Sequence, residues 1–406
     1  MSSLILKVIS FFNTKIKLGV IGRRNTFDIL QNKILATDKT IWMHAASLGE
    51  FEQGLPVLQE LKIKYPNHKI VVSFFSPSGY EVKKNTNDAD VVVYLPLDTP
   101  KNTKRFLDIV RPELILFVKY EIWPNILLEA KRRQIKSLLI SATFRPNQSY
   151  FKWYGGLMRK ALFSFNHIFT QNKNSKTLVE NIGYDSVSVS VSGDTRFDRV
   201  NQQLKADNTI SFIEAFIDNK TTVVFGSSWP ADDALFIPFI NSNKTTDTKY
   251  IIAPHNIKPS YIDTITKGLK VKTVCFSDME GKNLSEFNVF ILDTIGYLGR
   301  VYSYADIAYV GGAAGATGLH NILEPAVFGI PIIIGKNYQK FPEAKRLVNL
   351  NGVISVTNQK ELSLIMKSLI DSIDNRNLQG KINAQYVKQN KGAVNKILTN
   401  ISTTTN

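Results

Sequence analysis

Glu50 stands in "HAASLGEFEQG" (44–54), where an apolar run gives way to small residues and then to a glycine-flanked acid. Two roles fit it. With Ser47 it makes the S-x-x-E pattern of a capping box, in which the carboxylate ties back the first amides of a helix. Beside Gly49, at a loosened strand-to-helix turn, it can also serve as a general base for a hydroxyl within hydrogen-bond reach. Burial would raise its basicity, while a helix N-terminus would pull the other way. The local pattern alone favours the cap. His44 near the strand end and Glu52 two residues on are weaker candidates for the same chemistry.

A second block is "ADIAYVGGAAGATGLHNILEPAVFGIPIIIG" (305–335). A strand pattern ends in Gly311 and Gly312, a glycine–alanine loop runs to Gly318, and "GLHNILEPA" is expected to open a helix. Bare glycines let a phosphate approach the backbone, and helix-terminal amides favour its charge. Glu324, one turn in, can accept from both hydroxyls of a ribose. Asn321 is a helical turn away on the same face, with His320 beside it. The plainer alternative is a flexible loop with Asn321 as a helix cap.

Smaller features add to these two. Glu121 in "YEIWPN" (120–125) follows a strand and can orient a sugar; it is equally an acid favoured at a helix start. Ser141 and Arg145 follow another strand, and Arg145 suits bidentate recognition of carboxylate or phosphate, although a surface arginine needs no function. "FGSSWPADD" (225–233) offers Ser227 and Ser228 to a phosphate, and "APHNIKP" (253–259) offers Pro254 and His255. "DTIGYL" (293–298) offers Thr294 and Gly296, or is simply a tight turn. "DAD" (88–90) reads as a polar strand entry, so neither a metal nor a cofactor is expected.

The elements that must position these residues are legible as an alternation. "TIWMHAA" (40–46), "KIVVSFFS" (69–76), "DVVVYLPL" (90–97), "LILFVK" (114–119), "KSLLISATF" (136–144), "HIFTQN" (167–172) and "VSVSVSGD" (187–194) are predicted buried parallel strands with amphipathic helices between them. A second series holds "TTVVFGSS" (221–228), "KYIIAPH" (249–255), "KTVCFSD" (272–278), "NVFILDT" (288–294), "DIAYVGG" (306–312) and "PIIIGK" (331–336). The fold class expected is α/β, two doubly wound Rossmann-like domains facing across a cleft, with ligands at the carboxyl ends of the strands.

At this point the chain resembles a family. "VGG…GLHNILEPA" is similar to the sugar-nucleotide site of GT-B glycosyltransferases, and more specifically to the 3-deoxy-D-manno-octulosonic acid (Kdo) transferases of lipopolysaccharide assembly. "HAASLGEFEQGLPVLQELKIKYPNHKIVVSFFSPSGYE" (44–81), "YLPLDTP" (94–100), "YEIWPN", "SGDTRFD" (192–198) and "LDTIGYLGRVYSYADIAYVGG" (292–312) fall in matching order. The resemblance implies an inverting, metal-independent transfer of Kdo from CMP-Kdo to a lipid A precursor, with Glu50 as general base. It places Ser47, Gly49, Glu121, Ser141 and Arg145 on the acceptor side. Ser227, Ser228, Pro254, His255, Thr294, Gly296, Gly312, Gly318, His320, Asn321 and Glu324 fall on the donor side, with Arg196 as a phosphate contact in the linker. It departs from the family pattern at Lys119, where an acid is often found, at Ser228-Trp229-Pro230, and at His255-Asn256. The alternatives are a UDP-sugar transferase or epimerase of the same fold, or a non-catalytic lipid A-binding protein.

The domains expected are a membrane-associating segment (1–30), an acceptor-binding domain (31–200), a CMP-sugar-binding domain (201–382), and a helix and tail (383–406). Composition bounds the setting. The formal net charge of +16 favours anionic partners, and the one cysteine, Cys275, excludes an internal disulfide. No nucleic-acid motif accompanies the charge, so nucleic acid is not an expected partner. An apolar run from Leu4 to Phe12, interrupted by Lys7, is far short of the ~20 residues that span a bilayer. With Lys15, Lys17, Arg23 and Arg24 it suits a helix lying in an anionic interface, or equally one packed on its own domain. A peripheral place on the cytoplasmic face of the inner membrane is the expectation.

Overall fold

β-Branched and aromatic residues form the strands because each strand is covered on both faces, so nearly every position is apolar. A computed structural model describes residues 14–243 and 247–403 and divides the chain into two compact units. The first sheet contains β1 (Lys39–Ala45), β2 (His68–Phe74), β3 (Val91–Tyr94), β4 (Pro112–Val118), β5 (Lys136–Ala142), β6 (His167–Thr170) and β7 (Val189–Val191). These strands are parallel in the order 3-2-1-4-5-6-7, the doubly wound arrangement in which the direction of winding reverses beside β1. Successive residues of β1 serve opposite faces: Trp42 packs with Phe106 and Phe117, whereas Met43 packs with Phe51, Leu58 and Phe74.

The second sheet contains β8 (Thr221–Ser228), β9 (Thr248–Pro254), β10 (Thr273–Cys275), β11 (Val289–Ile291), β12 (Ile307–Val310), β13 (Ile332–Gly335) and β14 (Val353–Val356). Its order is 10-11-9-8-12-13-14, again parallel, over a core that includes Phe225, Phe236, Tyr250, Tyr309 and Ile333. The doubly wound α/β class expected from the alternation is therefore present twice. β14 has no counterpart among the expected strands. Its four residues lie at the sheet edge with the middle two only half-buried, too short a signal to separate from a loop.

The second unit runs from Val200 to Asn390, and residues 391–406 return to the first. The single segment expected at 383–406 is therefore divided: 373–390 is one helix of the second unit, and Ala393–Thr403 is a helix of the first. Val394, Ile397 and Ile401 join the first core, and Asp198 accepts from Gly392 N at 2.8 Å and Ala393 N at 3.0 Å. Of the segment expected to associate with membrane, residues 1–13 lie outside the described residues. The helix Thr14–Arg24 is held against the first unit through Arg23, which donates to the carbonyls of Leu95 and Phe75 and lies over the Phe75 ring. Among the described residues no helix is long and apolar enough to cross a membrane.

Candidate functional site

In the first unit the chemistry gathers at the carboxyl ends of β1, β4 and β5. β1 ends at Ala45, and the helix Leu48–Lys64 begins two residues later with Ser47 as N-cap. Gly54 lets that helix lie on the sheet: a Cβ there would come within 2.6 Å of the Met43 sulfur. Glu50 is in the first turn, and its Oε2 accepts from Ser47 N at 3.0 Å, so the capping contact exists. Yet the side chain is buried, and burial pushes its pKa up, with the Glu121 charge adding to the rise. Lys119 and the backbone N–H groups of Ala46 and Ser47 oppose it. A carboxyl held this way is both fixed in place and made more basic. Gly49 is exposed and has open space on its side-chain face.

Glu121 accepts from Trp123 Nε1 at 2.9 Å, and its Oε2 lies 3.3 Å from His44 Nε2 without hydrogen-bond alignment. His44 is buried, and its Nδ1 lies 2.9 Å from Ser73 Oγ. His44 is thus a fixed neighbour of Glu121. Lys119, in the left-handed region at φ 71°, turns the chain after β4 and brings its charge to bear on Glu50. Half-exposed Tyr120 is a neighbour the sequence did not single out; burial, Glu50 and Glu121 raise its pKa and Arg145 lowers it. Glu52 is taken up by Lys83 at 3.0 Å and Arg199 at 3.2 Å.

Two residues expected to face ligand are engaged within the unit. Thr195 Oγ1 donates to Gln53 O at 2.5 Å, which leaves Ser141 Oγ to donate to Thr195 Oγ1 at 2.7 Å. Ser141 is buried at φ 51°, so its hydroxyl ties β5 to the helix start at Thr195. Arg196 is held by Asp194, with Nε at 2.9 Å and a terminal nitrogen at 2.8 Å. Arg145 is exposed on the loop after β5.

In the second unit, β12 runs into Gly311 and Gly312, and the backbone there is too close to its neighbours for side chains. A Cβ on Gly311 would sit 2.5 Å from Ser227 O, and one on Gly312, at φ 94°, would sit 2.0 Å from Gly318 O. Gly318, at φ 97°, closes the loop by donating its N–H to Gly312 O at 3.2 Å. Asp232 holds the loop from below. Fully buried in the first turn of the helix Pro230–Ser242, it accepts from Gly312 N (2.8 Å), Tyr309 Oη (2.8 Å), Trp229 N (3.0 Å) and Ala314 N (3.3 Å). The sequence offered only its position as a helix-start acid.

Trp229, His255 and His320 form one aromatic stack. Trp229 lies on His255 at 4.6 Å between centroids, and His255 lies 4.5 Å from His320. Trp229 Nε1 donates to His320 Nε2 at 3.1 Å, which assigns the ring proton of a neutral His320 to Nδ1. Burial and the neighbouring His255 lower the His320 pKa to about 4, so the ring is neutral at neutral pH. His255 is joined to β8 through its N–H, which donates to Ser228 O at 3.0 Å, directly after Pro254 at the end of β9. Ser227 is left-handed at φ 54°, and the buried Ser228 hydroxyl lies beside Asp233 and Tyr261 without hydrogen-bond alignment. Nearby, Tyr261 Oη donates to Asp233, whose carboxyl burial pushes up to about 6.

The helix expected from "GLHNILEPA" starts later than the sequence suggested, at Leu323, and has five residues. Pro325 lacks the N–H that a longer helix would need, and Asn321 stands before it with Oδ1 accepting from Leu323 N at 3.2 Å. Asn321 Nδ2 donates to Glu324 Oε1 at 3.1 Å. Asn321 and Glu324 therefore stand together, but through an Asx turn ahead of the helix, whose N-cap is Ile322, and not along one helix face. Thr294 and Gly296 lie in the turn after β11; Gly296 has φ 97° and open space on its side-chain face. Among the described residues no three histidines, cysteines or acids are grouped as a metal site.

Two seven-stranded parallel sheets, one ending in a buried carboxylate and the other in a glycine loop with an asparagine-held acid, define a GT-B-like fold. The solved UDP-N-acetylglucosamine 2-epimerase of Neisseria meningitidis, bound to UDP-GlcNAc, matches 90% of this chain and all of its own at a TM-score of 0.64, with 17% identity. A family model described as 3-deoxy-D-manno-octulosonic-acid transferase matches residues 20–199. The transferase of that name from Aquifex aeolicus is 30% identical over 336 residues, 81% of this chain and 86% of the relative. That of Haemophilus influenzae is 27% identical over 374 residues, 88% and 85% of the two chains. The chain belongs to the 3-deoxy-D-manno-octulosonic acid transferase family, and is a glycosyltransferase.

Proposed function

We propose that this chain transfers Kdo from CMP-Kdo to a lipid A precursor at an anionic membrane surface, with inversion, and that Glu50 is the general base. One observation carries the role of Glu50. It is a buried carboxyl whose pKa is raised, yet it is held by the Ser47 N–H, an arrangement that fixes its direction while increasing its proton affinity. Its charge adjoins those of Glu121 and Lys119; Glu121, steadied by Trp123 Nε1, orients acceptor hydroxyls.

The donor nucleotide belongs to the second unit in this reading. Gly312 and Gly318 turn the loop without side chains, so that the backbone of residues 315–317 can approach a phosphate. The Gly312 and Gly318 N–H groups themselves are taken by Asp232 and the Gly312 carbonyl. Glu324, with Asn321 bonded to it, accepts from the ribose hydroxyls. Trp229 and His255, where the chain departs from the family pattern, stack beside neutral His320 of the matching motif and offer a flat aromatic wall to the donor.

The experiment is a transfer assay with purified protein, a tetra-acylated lipid A precursor, and either CMP-Kdo or UDP-sugars. A Kdo increment in the lipid mass with CMP-Kdo alone supports the proposal. Transfer or epimerisation of UDP-sugars alone would place the chain with the epimerases whose fold it shares and would overturn it. Binding of the lipid with no turnover of any donor would overturn it in favour of a non-catalytic lipid A-binding protein.

A further inference from the structure

Between residues 130 and 179 the chain carries ten lysines and arginines and no aspartate or glutamate. In the middle of that stretch stands Trp153, 93% exposed and the most exposed large apolar side chain among the described residues. Tyr154 (63%) and Leu157 (61%) follow within four positions, and no other five-residue stretch among the described residues holds three such side chains. Leaving an indole in water is unfavourable, and a solvated basic surface by itself gives no reason for it.

The loop is built and not loose. Phe144, Tyr150 and Phe151 pack edge to face beneath it, with centroids 4.8–5.9 Å apart. Arg159 reaches back from the helix Gly156–Leu162 to donate to Tyr150 O at 3.1 Å and Lys152 O at 3.0 Å. Gly155 is required for the turn, because a Cβ there would lie 1.8 Å from Ser149 O. Trp153 and Tyr154 meet edge to face at 5.7 Å above this base. On the helix, Ala161 and Leu162 face the core while Leu157 and Lys160, three apart, face outward. Neither Lys152 nor Lys160 has an ion-pair partner among the described residues. The loop follows the carboxyl end of β5, the neighbour of β4 in the sheet.

We propose that the loop from Lys152 to Lys160 is a preformed docking surface for an anionic lipid bilayer. Trp153, Tyr154 and Leu157 enter the interface, and Lys152 and Lys160 meet lipid phosphates. Rigid aromatic and leucine side chains ringed by uncompensated cations fit a headgroup boundary. A protein partner of matching charge would have to bring its own acids to every one of these positions. The proposal rests on the membrane-facing part of the reading above and is independent of the transfer chemistry.

The test uses the full chain and vesicles, with no donor present. Wild type is expected to co-sediment with phosphatidylglycerol-rich vesicles, less so as salt rises, and to ignore pure phosphatidylcholine. Trp153→Ala combined with Leu157→Ser should weaken that binding roughly tenfold or more, with the circular dichroism spectrum unchanged. Trp153→Phe keeps an apolar ring and should still bind, but should lose most of the quenching of tryptophan fluorescence by brominated lipids. Undiminished binding by the double variant, or undiminished quenching in Trp153→Phe, overturns the proposal. So does loss of a wild-type dimer in the double variant without any vesicle binding, which would make the loop a self-association surface. A chain that binds vesicles through Trp153 but transfers no sugar would sink the proposed activity and leave the docking surface standing.

Discussion

Replacing Asp232 by asparagine removes one charge and one acceptor from the post that holds the glycine loop. With its amide oxygen placed toward Gly312 N and Trp229 N, the asparagine keeps the 2.8 Å and 3.0 Å bonds. Its NH2 then faces Tyr309 Oη and Ala314 N. The tyrosine hydroxyl can turn to accept, but the Ala314 amide loses its acceptor in a nearly buried place, at about 1–3 kcal/mol. The two retained bonds fall from charge-assisted to neutral strength, at roughly 1 kcal/mol each. The expected loss is about 3–5 kcal/mol, a fall of roughly 6–20 °C in the melting transition of a unit this size. Differential scanning calorimetry on the full chain, with isothermal titration of CMP alongside, measures both consequences. The transition belonging to the second unit should fall, and CMP binding should weaken because Gly312 is no longer held. A melting profile within 1 °C of wild type would refute the reasoning, since it would mean that the four contacts do not hold the loop.

Glu50→Gln retains an acceptor for the Ser47 N–H but not the base, so turnover should drop about 10²–10⁴-fold while CMP affinity stays the same; near-normal turnover would return Glu50 to the role of a cap. Gly312→Ala should cost about 1–3 kcal/mol from its left-handed backbone alone, and more from the 2.0 Å approach to Gly318 O. Gly296→Ala, equally left-handed but in open space, should show only the backbone part, and equal denaturant midpoints for the two would count against the loop geometry. His320 and Asp233 should tilt the pH profile of stability in opposite senses. His320 titrates at about 4 in the folded chain and near 6.5 unfolded, so its contribution is lost as pH falls through that window, and His320→Gln should flatten that part. Asp233 titrates at about 6 against 3.8 unfolded, so its contribution is lost as pH rises through about 6, and Asp233→Asn should gain on wild type there. Urea midpoints across pH 4–7 that move in parallel for wild type and both variants would contradict both assignments.

Thirteen of the strands were legible because β-branched runs bounded by glycine, proline and polar residues repeat along the chain, and burial on both faces leaves such runs nearly continuous. The ordered motifs around Glu50 and Gly312 marked both candidate sites as well, because chemistry at the carboxyl ends of strands needs particular residue types at short range. What the sequence by itself determined was local: which segments become strands, where glycines must bend the chain, and which acids stand at turns.

The tertiary structure decided the pairings, which join residues far apart in the chain. Asp232 reached Gly312 across eighty positions and became the support of a loop. Thr195 drew the Ser141 hydroxyl into the first unit's framework, and Asp194 took up Arg196, leaving both less free than their neighbours in sequence suggested. Asn321 was left in an Asx turn ahead of the helix because Pro325 denied the helix an earlier start. The same physics shaped the surroundings of Glu50. The spacing to Ser47 sufficed for the cap, but its burial and the approach of Glu121 and Lys119 come from strands that only folding brings beside it.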